Sequence, residues 1–454
     1  MTSLKKLAIR GTVWTIAGYG SSQILRLGSN LILTRLLFPK LFGLMALVNI
    51  FIIGLHLFSD IGIGPNIIQN KRGDDPAFLN TAWTLQVIRG IGLWFCCVLI
   101  AWPLAKFYGQ PQFLWLIPVV GLSTIISGFN STALFTLNRH MAIGQLAIFE
   151  LGGQASSTLV MLVWAWFSQT IWALVIGSLV SASILMIWSH RLIPGSSNRF
   201  AWDQEAVNAI FSLGKWIFIS TAVTFLGMQA DRLILGKLIS FELLGIYGIA
   251  LALAEMPRGV IGAISNKVIL PAVAKLAHLP RETFRAKILH NRRLILVASA
   301  LILAVLVSFG DMLILALYDT RYTQAAWMLP ILALGIWPSL LFETLRQSLV
   351  AIGKPNYEAY GQLLKCLTVC IGLPVGFYLM GLTGAVIVVA LNDLPLYGVV
   401  AYGLGREGLG SVKQDIKATA ILFTLLTLAI IGRVIFGFGL PISGVLAVAR
   451  IVIS

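Results

Sequence analysis

Ten charged side chains interrupt the long apolar runs of this sequence: Arg26, Asp60, Asp231, Arg232, Glu255, Arg258, Glu343, Arg346, Lys365 and Asp393. If the runs lie in lipid, a charge at the bilayer centre costs at least about 2.5–3.5 kcal/mol and marks a functional candidate by default. Arg26 is the sharpest, being near the middle of its run and too deep to snorkel easily. A guanidinium there either clamps an anionic head group, since its planar fork matches phosphate, or pairs with an internal acid such as Asp60. Arg258 follows Pro257, whose missing N–H should kink the helix and open a pocket. Glu255, three residues earlier, offers an intrahelical pair instead. Glu343 and Arg346 have the same spacing, and there the plain pair is expected. Lys365 either joins the cations or snorkels to the interface. The expected substrate-binding cations are therefore Arg26, Arg258, Arg346 and Lys365, a set suited to a polyanionic head group. His56 and Asp60, one helical turn apart, could bind and release a proton, because histidine titrates near neutrality; a structural histidine is the commoner case. With Asp231 and Glu255 they are the candidates for ion coupling.

The elements that must position these residues are apolar helices. Of 454 residues, 58% are hydrophobic and 11% charged, whereas a soluble domain carries roughly 25% charged residues. So few charges cannot clothe a soluble surface, and the remaining solvent is lipid. A spanning helix takes about 20 mainly apolar residues. Fourteen such runs begin near residues 11, 41, 81, 112, 146, 170, 213, 240, 294, 325, 357, 382, 415 and 437, with polar connectors around 190–213 and 272–293. The expected fold class is an all-α membrane protein of about 14 transmembrane helices. The net charge of +16 is read as the positive-inside rule at work rather than as affinity for nucleic acid. With the N-terminus in the cytoplasm, basic residues favour the cytoplasmic side by about three to one, which places both termini there. Lys5, Lys6 and Arg10 precede an apolar run too long for a signal peptide and lacking a cleavage pattern, so it is read as an uncleaved first helix.

An internal repeat organises the helices. Residues 31–43, LILTRLLFPKLFG, align without a gap on 233–245, LILGKLISFELLG, at an offset of 202 that also pairs Trp14 with Trp216. Six helices separate the copies, an even number, so both halves share one orientation and are related by an axis along the membrane normal; such parallel-repeat transporters bind substrate between lobes near the midplane. The expected lobes are residues 1–196 and 206–402, six helices each, with two C-terminal helices over 414–454. Helices 1, 2, 7 and 8, which carry most of the buried charges, are equivalent pairs of the repeat.

Other chemistry finds little footing. No G-x-x-x-x-G-K-[ST] stretch exists, so there is no Walker-type ATPase site. Energy must come from an ion gradient, the membrane potential or the substrate's own gradient. Cys96, Cys97, Cys366 and Cys370 lie in apolar runs without a nearby histidine and are read as small buried apolar residues. Gly62 and Gly64 are at most a fragment of a phosphate loop. Asp74-Asp75 has the form of a sugar-nucleotide metal motif but sits in a polar turn. No metal, cofactor or catalytic residue is expected.

The N-terminal 110 residues carry a family likeness in Gly11-Thr12-Val13-Trp14, Leu33-Thr34-Arg35-Leu36-Leu37-Phe38-Pro39, Phe42-Gly43-Leu44, Gly62-Ile63-Gly64, Ile68-Gln69 and Asn80-Thr81-Ala82-Trp83. This resembles the opening of Wzx-type oligosaccharide flippases, the polysaccharide transport branch of the superfamily that includes multidrug-and-toxin (MATE) exporters and lipid II flippases. The likeness in helix count and lobe layout covers the whole chain; the motifs thin out after residue 140. It implies two six-helix lobes in a V around a cavity lined by helices 1, 2, 7 and 8. It implies undecaprenyl-diphosphate-linked oligosaccharide as substrate, flipped from the cytoplasmic to the periplasmic leaflet of a bacterial inner membrane by alternating access, for exopolysaccharide, O-antigen or capsule. Cavity cations would meet the pyrophosphate, Arg26 and Arg258 foremost, and membrane lipid, a polysaccharide polymerase and other assembly proteins would be partners. Lys40-Leu41 departs from the small or acidic pair usual there, which touches a loop. A MATE-like cation-coupled drug exporter shares the fold but should have an acid-dominated cavity. A polytopic glycosyltransferase or O-antigen ligase would need a large external loop, and none is long enough. A lipid II flippase differs only in cargo.

Overall fold

The computed structural model describes residues 2–193, 198–274, 276 and 278–441, and their side chains apart from 2–13, 15, 16, 212–224, 267, 268, 271 and 274. Nineteen α-helices follow one another among these residues. They are α1 (Thr2–Leu36), α2 (Pro39–Phe58), α3 (Ile63–Gln69), α4 (Pro76–Tyr108), α5 (Phe113–Gly128), α6 (Ala133–Arg139), α7 (Ile143–Phe167), α8 (Trp172–Ser189), α9 (Gln204–Leu238) and α10 (Phe241–Ala254). The rest are α11 (Met256–Ile264), α12 (Leu270–Ala274), α13 (Arg281–Leu317), α14 (Thr323–Gly335), α15 (Trp337–Glu343), α16 (Arg346–Ala351), α17 (Asn356–Leu391), α18 (Asp393–Arg406) and α19 (Val412–Ile435). Helices dominate because lipid offers no partner for backbone N–H and C=O groups, which a helix satisfies internally.

Among the described residues, eight helical stretches are long and apolar enough to cross a membrane. Two bent pairs also pass together: α5 with α6 at 59°, and α10 with α11 at 42°. The second bend is the one expected from Pro257, which sits in the first turn of α11. Trp166, Phe167, Leu294 and Tyr378 are 74%, 83%, 78% and 89% exposed, as side chains facing acyl chains should be.

Two expectations need correction. The polar connectors around 190–213 and 272–293 are partly helix, since α9 starts at Gln204 and α13 at Arg281. Hydropathy registers only the lipid-immersed part of a helix, while hydrogen bonding carries it on into the polar zone. The cysteines are not uniformly buried: Cys97 is, but Cys96 and Cys370 are exposed. The run expected from residue 437 lies mostly outside the described residues.

The stretch Asn356–Arg406 is 51 residues long, far more than a bilayer of about 30 Å requires at 1.5 Å per residue. Its backbone leaves the helical region at Met380 and Gly381, where Gly381 has φ 57°, a left-handed conformation that only glycine adopts without strain. The two arms then run antiparallel. A Cβ on Gly372 would lie 3.2 Å from Val388, and one on Gly376 would lie 3.0 Å from the Gly384 carbonyl. This helical hairpin is sealed by small residues, the usual means of close helix approach in lipid.

Contacts divide the chain into two compact units, Met1–Phe225 and Leu226–Ser454, with the division inside α9. The repeat recurs in the element boundaries. Helices α1 and α9 are both 35 residues long, and their ends, like the starts of α2 and α10, are 202 residues apart. In the first unit, Ile63, Ile67, Phe78, Ala82, Val207 and Ile210 join α3 and α4 to the start of α9. In the second, Phe284, Phe342, Leu345, Leu396 and Leu404 tie α13, α15 and α18 together.

Helix α19 is fastened along α13 by two buried ion pairs, Arg292–Asp415 and Arg433–Asp311. The numbering rises together on both helices, so they run parallel and an odd number of crossings separates them. Three fit: α14 to α16, then the two arms of the hairpin.

Candidate functional site

The second unit contains a cavity of about 70 Å3, room for a few water molecules. The charged part of its wall comes from α9, α10, α11, α17 and α18. Helix α9 supplies Asp231 and Arg232, the bend between α10 and α11 supplies Glu255 and Arg258, the hairpin arm of α17 supplies Lys365, and the start of α18 supplies Asp393. The Pro257 bend matters here, because it places Glu255 at the C-cap of α10 and Arg258 in the first turn of α11.

Asp393 is the hub. Lys365 Nζ donates to its Oδ1 at 2.7 Å and Arg258 Nη1 to its Oδ2 at 3.4 Å, with the Lys365 and Asp393 side chains only 4% and 3% exposed. Arg258 also lies 3.8 Å from Glu255. Asp231 accepts a 2.6 Å hydrogen bond from the buried Tyr247 hydroxyl. Arg232 Nη1 donates to Gln229 Oε1 at 3.1 Å, and among the described residues no carboxylate comes within 4 Å of it. Three cations and three carboxylates thus line one small cavity. Its net charge is near zero, and an arriving anion must compete with Asp393 for Arg258 and Lys365.

The expected cations therefore divide. Arg258 and Lys365 come together on one carboxylate. Arg346 does not line this cavity; it is held 3.0 Å from Glu343 and 2.9 Å from Glu358, the former being the pair its spacing suggested. Arg26, in the first unit, is exposed, and its side chain makes no hydrogen bond or ion pair among the described residues. Asp231 and Glu255 join the second unit's cavity.

His56 and Asp60 line a different cavity, of about 300 Å3, within the first unit. It sits where two helices break, α2 before α3 and α5 before α6. Breaks strand carbonyl groups that lipid cannot satisfy, and two residues of α4 meet them. Gln86 Nε2 donates to the carbonyls of Gly128 and Asn130 at 3.0 Å each. Arg89 Nη2 donates to the His56 carbonyl at 2.6 Å and its Nε to Ser59 Oγ at 2.9 Å. Asp60 Oδ1 accepts from the Gly62 amide at 2.9 Å, within the first break.

Arg89, Arg292, Asp311 and Arg433 are four further charged residues within helices that are absent from the ten charges read from the sequence. Arg89 lines a cavity, and the other three take part in the buried ion pairs between α13 and α19. The overlooked signal was period: Gln86, Arg89 and Leu93 fall on one helical face.

Outside the spans, Asp74 and Asp75 are structural. Asp74 accepts from Arg139 Nε at 3.0 Å. Asp75 caps α4 through the Ala77 amide and pairs with Arg72 at 2.8 Å, while Arg72 also reaches Asp203 at 2.6 Å. The Arg72 guanidinium draws the Asp75 and Asp203 carboxyls below their ordinary range.

A family model described as "Polysaccharide biosynthesis protein" matches residues 32–327. Similar proteins include the teichuronic acid biosynthesis protein TuaB of Bacillus subtilis (strain 168), 23% identical over 389 residues, 84% of this chain and 78% of that protein. The lipopolysaccharide biosynthesis protein WzxC of Escherichia coli (strain K12) is 23% identical over 283 residues, 60% of this chain and 56% of that protein. Among solved structures, the lipid II flippase MurJ in an inward closed conformation matches with a TM-score of 0.71 at 12% identity, covering 91% of this chain and 92% of MurJ. An inward-facing multidrug resistance MATE family transporter matches with a TM-score of 0.59 at 13% identity, covering 93% and 95%. At such identities the likeness is one of fold.

Proposed function

This chain belongs to the family of polysaccharide biosynthesis proteins, and from that premise we propose that it is a flippase, not an enzyme. It moves undecaprenyl-diphosphate-linked oligosaccharide from the cytoplasmic to the periplasmic leaflet of a bacterial inner membrane, for exopolysaccharide, O-antigen or capsule. The observation that carries this reading is the family match over residues 32–327. Relatives named for teichuronic acid, amylovoran and lipopolysaccharide biosynthesis agree with it, and the MurJ-like fold supplies an architecture for alternating access.

In this reading the two units are lobes of the transporter, both termini are cytoplasmic, and a polysaccharide polymerase works downstream. Arg258 and Lys365 meet the pyrophosphate by exchanging Asp393 for phosphate oxygens, which a cavity of about 70 Å3 permits only once it opens. Arg232, already without a carboxylate within 4 Å among the described residues, adds a third cation. Arg26 and Arg346 are assigned to the same substrate earlier or later on its path, and Asp231 and Glu255 to ion coupling.

The test is genetic and chemical. Cells lacking the chain should lose surface polysaccharide and accumulate the lipid-linked oligosaccharide in the cytoplasmic leaflet, with recovery on re-expression. Intact surface polysaccharide with altered sensitivity to cationic drugs would favour a MATE-like exporter and end this reading.

A further inference from the structure

The cavity of the first unit, about 300 Å3, is larger than that of the second, and the exchange at Asp393 leaves it unused. Its wall mixes groups that no simple anion site needs. Arg89 presents a guanidinium whose Nε and Nη2 are engaged by Ser59 and the His56 carbonyl; among the described residues its Nη1 has no partner and no carboxylate lies within 4 Å of it. Asp60 uses Oδ1 on the Gly62 amide, leaving Oδ2 as an acceptor. His56 adds a ring nitrogen, and Leu134 and Phe135 of α6 add an apolar face.

We propose that this cavity is a glycosyl subsite, holding a pyranose unit of the transported oligosaccharide. The inference rests on the flippase reading and deepens it. The cavity's donors and acceptors match such a ligand. A phosphate would satisfy Arg89 but be repelled by Asp60, and a metal ion the reverse. A polyhydroxyl ligand does both, since each hydroxyl accepts from the guanidinium and donates to the carboxylate. The C–H face of the ring would then lie against Phe135, in the apolar-plus-few-polar pattern of small-molecule sites.

The fold supports the same occupant. Irregular backbone at membrane depth is tolerated where it is buried in protein or lines a water-filled cavity, and discontinuous helices build binding sites in transporters. Both breaks of this unit face the cavity, braced by Gln86 and Arg89 from one face of α4. Helix α2 is 20 residues long, about 30 Å, the thickness of the hydrocarbon, so its break lies at one edge of the apolar zone. With the N-terminus cytoplasmic, as proposed, that break lies at the cytoplasmic end, where a glycan assembled in the cytoplasm arrives.

The experiment uses the purified full chain in detergent and two probes. One is the free oligosaccharide released by mild acid from the lipid-linked intermediate of the native cells; the other is undecaprenyl diphosphate without glycan. Leu134→Trp fills the cavity while leaving every polar side chain of its wall in the sequence. Asp60→Asn keeps the bond to the Gly62 amide but removes the charged acceptor. Each should weaken oligosaccharide binding about tenfold or more, leaving undecaprenyl diphosphate binding and thermal melting as in the wild type. Oligosaccharide affinity unchanged in both variants overturns the subsite while the flippase reading stands. A wild type that binds neither probe overturns both. A variant that loses both probes together, with melting intact, also overturns the subsite, since the cavity would then not be selective for the glycan.

Discussion

Asp393→Ala should destabilise this protein far more than Lys365→Met, although each removes one partner of the same ion pair. Asp393 holds two cations, Lys365 at 2.7 Å and Arg258 at 3.4 Å, with its side chain only 3% exposed. At an effective dielectric constant of about 20, the two attractions are roughly 6 and 5 kcal/mol gross. Desolvation offsets most of that in the intact cluster, so the gross figures are not its net worth. Removing the carboxylate changes the balance, because two buried cations then lose their common counter-charge and repel each other. Breaking a buried pair in this way costs about 3–5 kcal/mol. Losing Lys365 is milder, about 1–3 kcal/mol, since Asp393 keeps Arg258. The double variant Asp393→Ala/Lys365→Met should recover part of the loss, as only Arg258 is then left without Asp393, and Glu255 stands 3.8 Å from it. Reversible unfolding in detergent, followed as a double-mutant cycle, reads all three. Equal losses in the two single variants, or strict additivity in the double, would refute the idea of a shared counter-ion.

The remaining expectations follow from other parts of the structure. Asp415→Ala should cost about 3–5 kcal/mol in the same assay, because Arg292 is 2% exposed and would lose its carboxylate partner; a loss under about 1 kcal/mol would mean that water reaches the pair. Gly384→Leu should disrupt the hairpin and lower the yield of folded protein, since any Cβ there runs into the Gly376 backbone; wild-type melting would show that the arms separate freely. The loop carboxylates set an acid limit. Arg72 lowers Asp75 and Asp203, and Arg321 together with its own amide holds Asp319 down to about 2. Folded values below unfolded ones give stability that is full above about pH 4 and is lost as pH falls toward the folded values. Protection of the amides of these loops, taken relative to the intrinsic exchange rate at each pH, should therefore hold from pH 7 to 5 and fall below about 4, and protection already falling between 7 and 5 would contradict it. Arg26→Ala should abolish export of the lipid-linked oligosaccharide while membrane insertion stays normal, and unchanged export would remove Arg26 from the substrate path.

Much of the fold was legible because lipid makes the code simple. Apolar runs of spanning length marked α2, α5, α7, α8 and α10 to within a few residues. Pro257 announced the bend that shapes the second unit's cavity. The ungapped match of 31–43 to 233–245 gave the offset of 202 that separates the ends of α1 and α9 and the starts of α2 and α10. Helix ends in polar zones were less legible, as α13 shows, because Arg281 to Arg293 remain helical where hydropathy sees a loop. Residue type and spacing gave Glu343–Arg346 correctly, since residues three apart meet on one helix face.

What spacing cannot give is the partner of a buried charge on another helix. Lys365 and Asp393 are 28 residues apart, Arg433 and Asp311 122, and nothing local in the sequence links them. The cost of burying charge says only that a partner exists, protein or ligand. Among the described residues the buried cations Arg292, Arg433 and Lys365 each pair with a carboxylate of their own unit, and the half-buried Arg258 shares Asp393 with Lys365. Arg89 and Arg232 differ. Among the described residues neither has a carboxylate within 4 Å, yet each lines a cavity. Deep position in a run pointed to candidates. The test that separates a ligand-binding arginine from a structural one is whether open space, rather than an acid, lies beside it, and by that test Arg89 ranks above Arg346.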